Sequence, residues 1–456
     1  MNTLIYTSAL GLLCMLAEMA NLRKLILPIA VLGLCVIFGF NVADWGKNAG
    51  FYHNMVVIDN YSVAFSGLLL LLGIFITLLA GNFYKNEESK ISDYLAIIIF
   101  TLSGALALVS FGNMAMFFLG IEVLSISLYI LAGSKKKELR SNEAGMKYFL
   151  MGSFASGILL FGIALIYGET GSFDLGQIAA YTAAVHPSVL FTLGVGMILV
   201  GMLFKVSAAP FHFWAPDVYE GSPTLTTAFM ATVAKIAAFA AFYRLFSSCF
   251  IVSIPSYAWV LSAVAVLTII IGNFTALNQD SFKRMLAFSG ISHAGYLLLG
   301  ILSLYGNTAN AVFFYSVAYG ISSIAAFSIA IVVAQNTGSE KIEAFNGLGK
   351  KKPMLAAALT IAMLSMAGIP PFAGFFGKYF IFSEAIRNGH LGLTIVAVIN
   401  SIVGVYYYMK VVLAMYTKDS NEPVIKLKPA YSLVIAVCVA LILLLGIFPS
   451  LLSNLL

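Results

Sequence analysis

The sequence predicts an all-α polytopic membrane protein of about fourteen transmembrane helices, built around two inverted five-helix repeats that each contain a broken helix. Its composition, the number of its apolar stretches and the placement of its Lys and Arg residues point there together. Of 456 residues, 61% are hydrophobic and only 10% charged, against ~45–50% apolar residues in a soluble domain, and the mean hydropathy is +0.97. The net charge of +6 is spread over short loops and not gathered on one surface, so no nucleic-acid partner is expected. Cys14, Cys35, Cys249 and Cys438 are scattered through apolar stretches without metal-ligand spacing. We therefore expect no disulfide, metal or iron–sulfur cluster on the chain.

Stretches of the roughly 17–25 residues that cross a bilayer run over 3–20, 25–42, 58–81, 93–110, 113–132, 147–167, 188–214, 223–246, 253–277, 285–303, 308–334, 353–386, 391–416 and 430–452. The first has no basic flank before it and is followed by Arg23-Lys24, so it reads as a retained span that starts outside the cytoplasm. Assigned to alternate sides, eighteen of the 25 basic residues fall on one side, among them Lys85, Lys90, Lys135 to Lys137, Lys283 and Lys350 to Lys352. Only Lys47, Arg244 and Arg387 fall on the other, and Lys205, Lys235, Lys378 and Lys410 lie within spans. Because cytoplasmic loops collect Lys and Arg, both termini are expected outside the cytoplasm.

Two spans cannot be simple helices. At 1.5 Å per residue, 353–386 would run roughly 50 Å, and Gly368-Ile369-Pro370-Pro371 interrupts it. The span 188–214 is also overlong and breaks near Pro210. The two breaks lie five spans apart, and an odd offset reverses orientation, the mark of inverted repeats. On that basis 1–92 holds helices 1–3, 93–247 the first repeat, 248–416 the second, and 417–456 the last helix.

Glu122, Lys205, Lys235 and Lys378 sit near the middle of apolar spans, where a charge costs at least ~3 kcal/mol and usually marks an ion or proton path. Burial disfavours an ammonium and a nearby carboxylate favours it, so changing the Glu122–Lys205 distance would switch a lysine between holding and releasing a proton. Glu122 is also open to a structural role as partner of one lysine. His293, well inside a span, suits a relay or a hydrogen-bonded core. His212, beside Pro210, is placed at the water boundary, and Glu18 in an interfacial salt bridge with Arg23 and Lys24. Glu384 closes a span, as a cavity mouth or a solvated end. The tyrosines, Tyr406-Tyr407-Tyr408 included, read as lipid-facing packing or interfacial belts.

The run from Phe204 to Thr224, with Lys205, Pro210, His212 and Asp217-Val218-Tyr219-Glu220-Gly221, resembles the signature of the subunit N family of proton-pumping NADH:quinone oxidoreductase, respiratory complex I. So do Lys147 to Gly157 and Gly368 to Lys378. The resemblance implies fourteen spans and a hydrated midplane axis of Glu122, Lys205, Lys235, His293 and Lys378, with Glu122 and Lys205 as the coupled pair. It implies a bacterial inner-membrane location and partner membrane subunits, other antiporter-like subunits included. NADH, FMN, iron–sulfur clusters and quinone would be handled elsewhere in the complex, with no cofactor on this chain. Sodium transport would call for more carboxylate ligands than Glu122 supplies, which favours protons over a cation/proton antiporter. A non-transporting scaffold, in which the charges pin helices, is the other alternative.

Overall fold

A computed structural model describes residues 2–20, 22–84, 91–185, 187–419 and 426–456. Helices α1 (Asn2–Met19) and α2 (Arg23–Ala43) lead to a hairpin of β1 (Ala49–Phe51) and β2 (Val56–Ile58), antiparallel with Gly50 opposite Val57. Then come α3 (Asn60–Phe83), α4 (Ile91–Val109), α5 (Met114–Ala132), α6 (Leu139–Thr170) and the short α7 (Leu175–Ala184). The first broken span is α8 (Val189–Lys205) and α9 (Trp214–Gly221). Next, α10 (Thr224–Phe229) and α11 (Lys235–Ser248) are joined without interruption by a π-helical turn, Met230–Ala234. The remainder is α12 (Ile254–Leu277), α13 (Phe282–Leu302), α14 (Thr308–Thr337), the single turn α15 (Leu348–Lys351), the second broken span α16 (Pro353–Ala367) and α17 (Ala373–Arg387), α18 (Leu391–Thr417) and α19 (Pro429–Ile447).

Among the described residues, twelve helical stretches of 18 to 32 residues are long and apolar enough to cross a membrane. The shorter apolar α8 and α16, completed by α9 and α17, account for the other two expected spans. The sixth span starts at Leu139, well before the expected residue 147. Its polar first turns interlock with α9 through Lys147 and Asp217, 3.0 Å apart, so the helix continues past the apolar zone. Local signals set many of the starts: the side chains of Asp59, Asn113, Asp174, Ser188 and Ser281 each accept a backbone N–H of the first turn of α3, α5, α7, α8 and α13.

The stretch from α10 through α11, and α13, are enclosed on every side, and α14 nearly so. By contrast α1, α2, α6, α18 and α19 keep much apolar surface outward, as lipid-facing helices must. Small residues let the inner helices approach closely. A Cβ on Gly272 of α12 would stand 2.5 Å from the backbone nitrogen of Ser292 on α13.

The ends of the bundle differ. The hairpin joins the loop after α4 through Val56 and Phe111, and buried Arg244 bonds the Phe111 carbonyl and Asp59. Thr3 lines the same small polar cavity as Asp44 and Val56, and the terminal Leu456 is held by Asn310. Both termini thus share one face, opposite the loops rich in Lys and Arg. Lys85 and Lys90, part of that basic count, lie outside the described residues. Lys410 reaches the basic face from within α18 by donating to the Gln279 carbonyl at 3.0 Å.

Gly272→Val should force α12 and α13 apart, an overpacking cost of about 1–3 kcal/mol. A lowered thermal unfolding midpoint of the detergent-solubilised protein is the expected result; an unchanged midpoint would contradict the close contact.

Candidate functional site

Lys205 closes α8, and its ammonium donates to Ser125 Oγ of α5 at 2.8 Å and Ser156 Oγ of α6 at 3.3 Å. The carbonyl end of a helix favours a cation there. Past Lys205 the chain turns through Ser207 at φ 60° and the cis Ala209–Pro210 bond. The freed backbone groups find partners inside the protein, as they must at membrane depth. Ala209 N donates to Thr268 Oγ1 at 2.9 Å, and Trp214 Nε1 to the Phe204 carbonyl at 3.1 Å.

Glu122 stands one turn before Ser125 on α5, within electrostatic reach of Lys205, yet no ion pair joins them among the described residues. Its Oε1 is buried without a hydrogen-bond partner. As a residue Glu122 is only half-buried, which corrects the expectation that it is the one deeply buried carboxylate. Glu384, 5% exposed, is more enclosed, because it ends a helix that packs inward and is paired there with Arg387 at 2.9 Å.

Lys235 follows directly on the π-helical turn, a distortion that often marks functional positions. It is 3% exposed and donates to the Gly290 carbonyl of α13 at 2.8 Å. One turn further along α13, His293 Nδ1 meets Tyr315 Oη at 2.6 Å and Nε2 meets Tyr408 Oη at 3.0 Å. Tyr408 Oη also bonds Ser289 Oγ. Both Lys235 and Lys378 lie within electrostatic reach of His293. A small cavity beside His293, Tyr315, Tyr319 and Ser365 has room for about one water molecule.

Lys378 sits on α17 beyond the second break, but its head reaches back to the first half-helix. It donates to the carbonyl of Ala367, the last residue of α16, at 2.7 Å and to Ser401 Oγ at 2.8 Å, and lies 5.1 Å from the centre of the Tyr296 ring. Gly368, at φ +83°, supplies the left-handed turn that ends α16 at that point. Lys205 precedes its break and is held by serine hydroxyls of α5 and α6, whereas Lys378 follows its own and rests at the carbonyl end of the half-helix α16.

At the basic face, Asp217 of α9 pairs with Lys147 of α6 at 3.0 Å and Arg284 of α13 at 2.8 Å, and Glu220 takes Arg284 at 3.0 Å. Lys283 pairs with Glu340 at 2.8 Å and donates to the Ser222 carbonyl at 2.9 Å.

The packing of α11, α13 and α17 thus brings Lys235, His293 and Lys378 into one polar group, while Lys205 and Glu122 form a second beside Ser125 and Ser156. Glu18 forms its expected salt bridge with Arg23, at 2.6 Å. His212 is 6% exposed with its ring against Phe213, so it is enclosed and not at a water boundary; the break folds it back into protein. Tyr406 faces outward, whereas Tyr407 and Tyr408 are fully buried, which corrects the belt reading for two of the three. Tyr315, Tyr408, Ser125, Ser156 and Ser401 escaped sequence reasoning.

A profile of the family described as NADH:quinone oxidoreductase/Mrp antiporter, TM, matches residues 112–404. The chain is 50% identical over 456 residues to NADH-quinone oxidoreductase subunit N of Flavobacterium psychrophilum, with 100% of each chain covered. It superposes on a chain of respiratory complex I from Thermus thermophilus with bound aureothin at a TM-score of 0.86 and 33% identity, covering 99% of this chain and 98% of that one. A chain of the Mrp complex from Dietzia sp. shares the fold at a TM-score of 0.89 and 21% identity, covering 100% and 95%.

Replacing both Tyr315 and Tyr408 by Phe would leave both His293 nitrogens unpaired, at about 1–3 kcal/mol per orphaned group. The double variant should unfold at a lower temperature than either single one; equal midpoints for all three and the parent would refute the network.

Proposed function

Because this chain belongs to the NADH:quinone oxidoreductase/Mrp antiporter family, we propose that it is a proton-translocating membrane subunit of NADH:quinone oxidoreductase, of the kind its relatives' name, subunit N, denotes. The observation that carries the proposal is that Lys235, His293 and Lys378 are buried at membrane depth within electrostatic reach of the histidine, with hydrogen bonds a proton can use. Electrons pass from NADH to quinone on other subunits, which hold FMN and the iron–sulfur clusters. The chain spans a bacterial inner membrane with its basic face in the cytoplasm and both termini outside.

In this reading Glu122 and Lys205 form a switch. With the ammonium on Ser125 and Ser156 the pair is open. A swing of about one helical turn along α5 would close it. A contact pair near 4 Å is worth about 4 kcal/mol at an effective dielectric of 20, whereas moving one charge across 100 mV takes ~2.3 kcal/mol. Closing and opening the pair is thus of the right size to drive a proton onward to Lys235, across His293 and its tyrosines to Lys378, and out. The two five-helix halves, 93–247 and 248–416, act as inverted repeats. Each places a lysine beside its broken helix, Lys205 held by serine hydroxyls and Lys378 by the carbonyl of Ala367 and a serine hydroxyl.

Lys205→Ala, in membranes where the assembled complex is confirmed, should lower quinone reduction and proton pumping together by at least about tenfold. Parental values of both would leave this chain a scaffold. Pumping that follows sodium and not protons would favour the antiporter alternative.

A further inference from the structure

At the basic face a vestibule of about 680 Å³ opens between the ends of α9, α13 and α14, with Glu220, Ser222, Thr224, Lys283 and Glu340 in its wall. The Lys283–Glu340 pair straddles its inner boundary. The Glu340 side chain is 39% exposed and that of Lys283 only 4%. Glu340 is held in place by Thr224, whose hydroxyl donates to its other oxygen at 2.7 Å. A pair that merely ties loops has no need of a buried lysine, since burying an ion is costly. Lys350 and Asp419, on the same face, are 70% and 82% exposed. The clamping of α13 to α9 already falls to the neighbouring Arg284, bonded to Asp217 and Glu220.

The position of Lys283 on α13 gives it a second role. Gly290 follows seven residues later, two turns along nearly the same face and about 10 Å away, and its carbonyl holds the Lys235 ammonium. A Cβ on Gly290 would stand 3.0 Å from Lys235 Nζ and 3.2 Å from Tyr319 Oη, so those two groups converge at one point. Tyr219, fully buried next to Glu220, lies within electrostatic reach of Tyr319. Tyr219 thus adjoins a residue of the vestibule wall, and Tyr319 adjoins Lys235.

We propose that Lys283 and Glu340 are the loading pair through which protons from water on the basic face reach Lys235. This rests on the translocation reading above. The Lys283 ammonium gives its proton, by way of the tyrosine hydroxyls, to a neutral Lys235 amine. Lys283 then takes a replacement from vestibule water through the Glu340 carboxylate, so the chain has gained one proton, on Lys235, and returns to its starting charge when Lys235 passes that proton on. An arginine at 283 would keep the ion pair but cannot release a proton.

The test uses inside-out membrane vesicles carrying the assembled complex, with quinone reduction and acidification followed together. Lys283→Arg should lower both by at least about tenfold. Glu340→Gln should be slow at alkaline pH and recover several-fold on adding imidazole, a small carrier that titrates near neutrality and delivers protons in place of the lost carboxylate. Parental rates in Lys283→Arg, or no recovery of Glu340→Gln by imidazole, would overturn the proposal in favour of a structural tie. If Lys283→Arg does not assemble, the carrier response of Glu340→Gln decides. Parental pumping in Lys205→Ala would instead overturn the translocation reading itself.

Discussion

An ammonium at membrane depth must have acceptors that water would otherwise supply, and the rest of this structure is arranged around that requirement. Lys205, the last residue of an interrupted helix, finds its acceptors on two serine hydroxyls, and Lys378 on the carbonyl end of the other interrupted helix and on a serine hydroxyl. Lys235 finds its acceptor on a carbonyl of α13, from a position just past a π-helical turn. Each solution needs a departure from regular helix, and such departures survive only where surrounding protein satisfies the released backbone groups. That is why the irregular backbone lies inward and long, uninterrupted helices such as α1, α2 and α18 form the exterior.

The same requirement explains the tyrosines. Between the lysines, a carboxylate would trap a proton and an apolar residue would stop it. A phenol can accept and donate at once. Tyr315 and Tyr408 flank the two nitrogens of His293, so each ring nitrogen has a phenol partner. At the α5 end the partners differ. Glu122 is half-buried with one carboxylate oxygen unpartnered, and Lys205 is held by Ser125 at 2.8 Å, as closely as Lys235 is by Gly290.

Much of the fold was legible in the amino-acid pattern. The fourteen stretches, the two interruptions at Pro210 and Pro370-Pro371, and the four intramembrane charges can all be read from hydropathy, because lipid imposes length and polarity rules on each segment separately. The sixth helix was misjudged at its start because Lys147 pairs with Asp217, seventy positions away. Tyr407 and Tyr408 were misjudged because composition does not reveal which face of α18 turns inward. His212 was misjudged because a chain that breaks near proline can turn either toward water or back into the core.

The sequence by itself determined the class, the spans, the broken helices and which charges are costly, since each follows from residues close along the chain. Only the tertiary structure decided which helices are enclosed, that Glu122 and Lys205 stand open with Ser125 and Ser156 holding the ammonium, and that His293 sits between two tyrosines. Those facts depend on contacts between helices far apart in sequence, where a rotation of one helix by a fraction of a turn exchanges a partner for lipid.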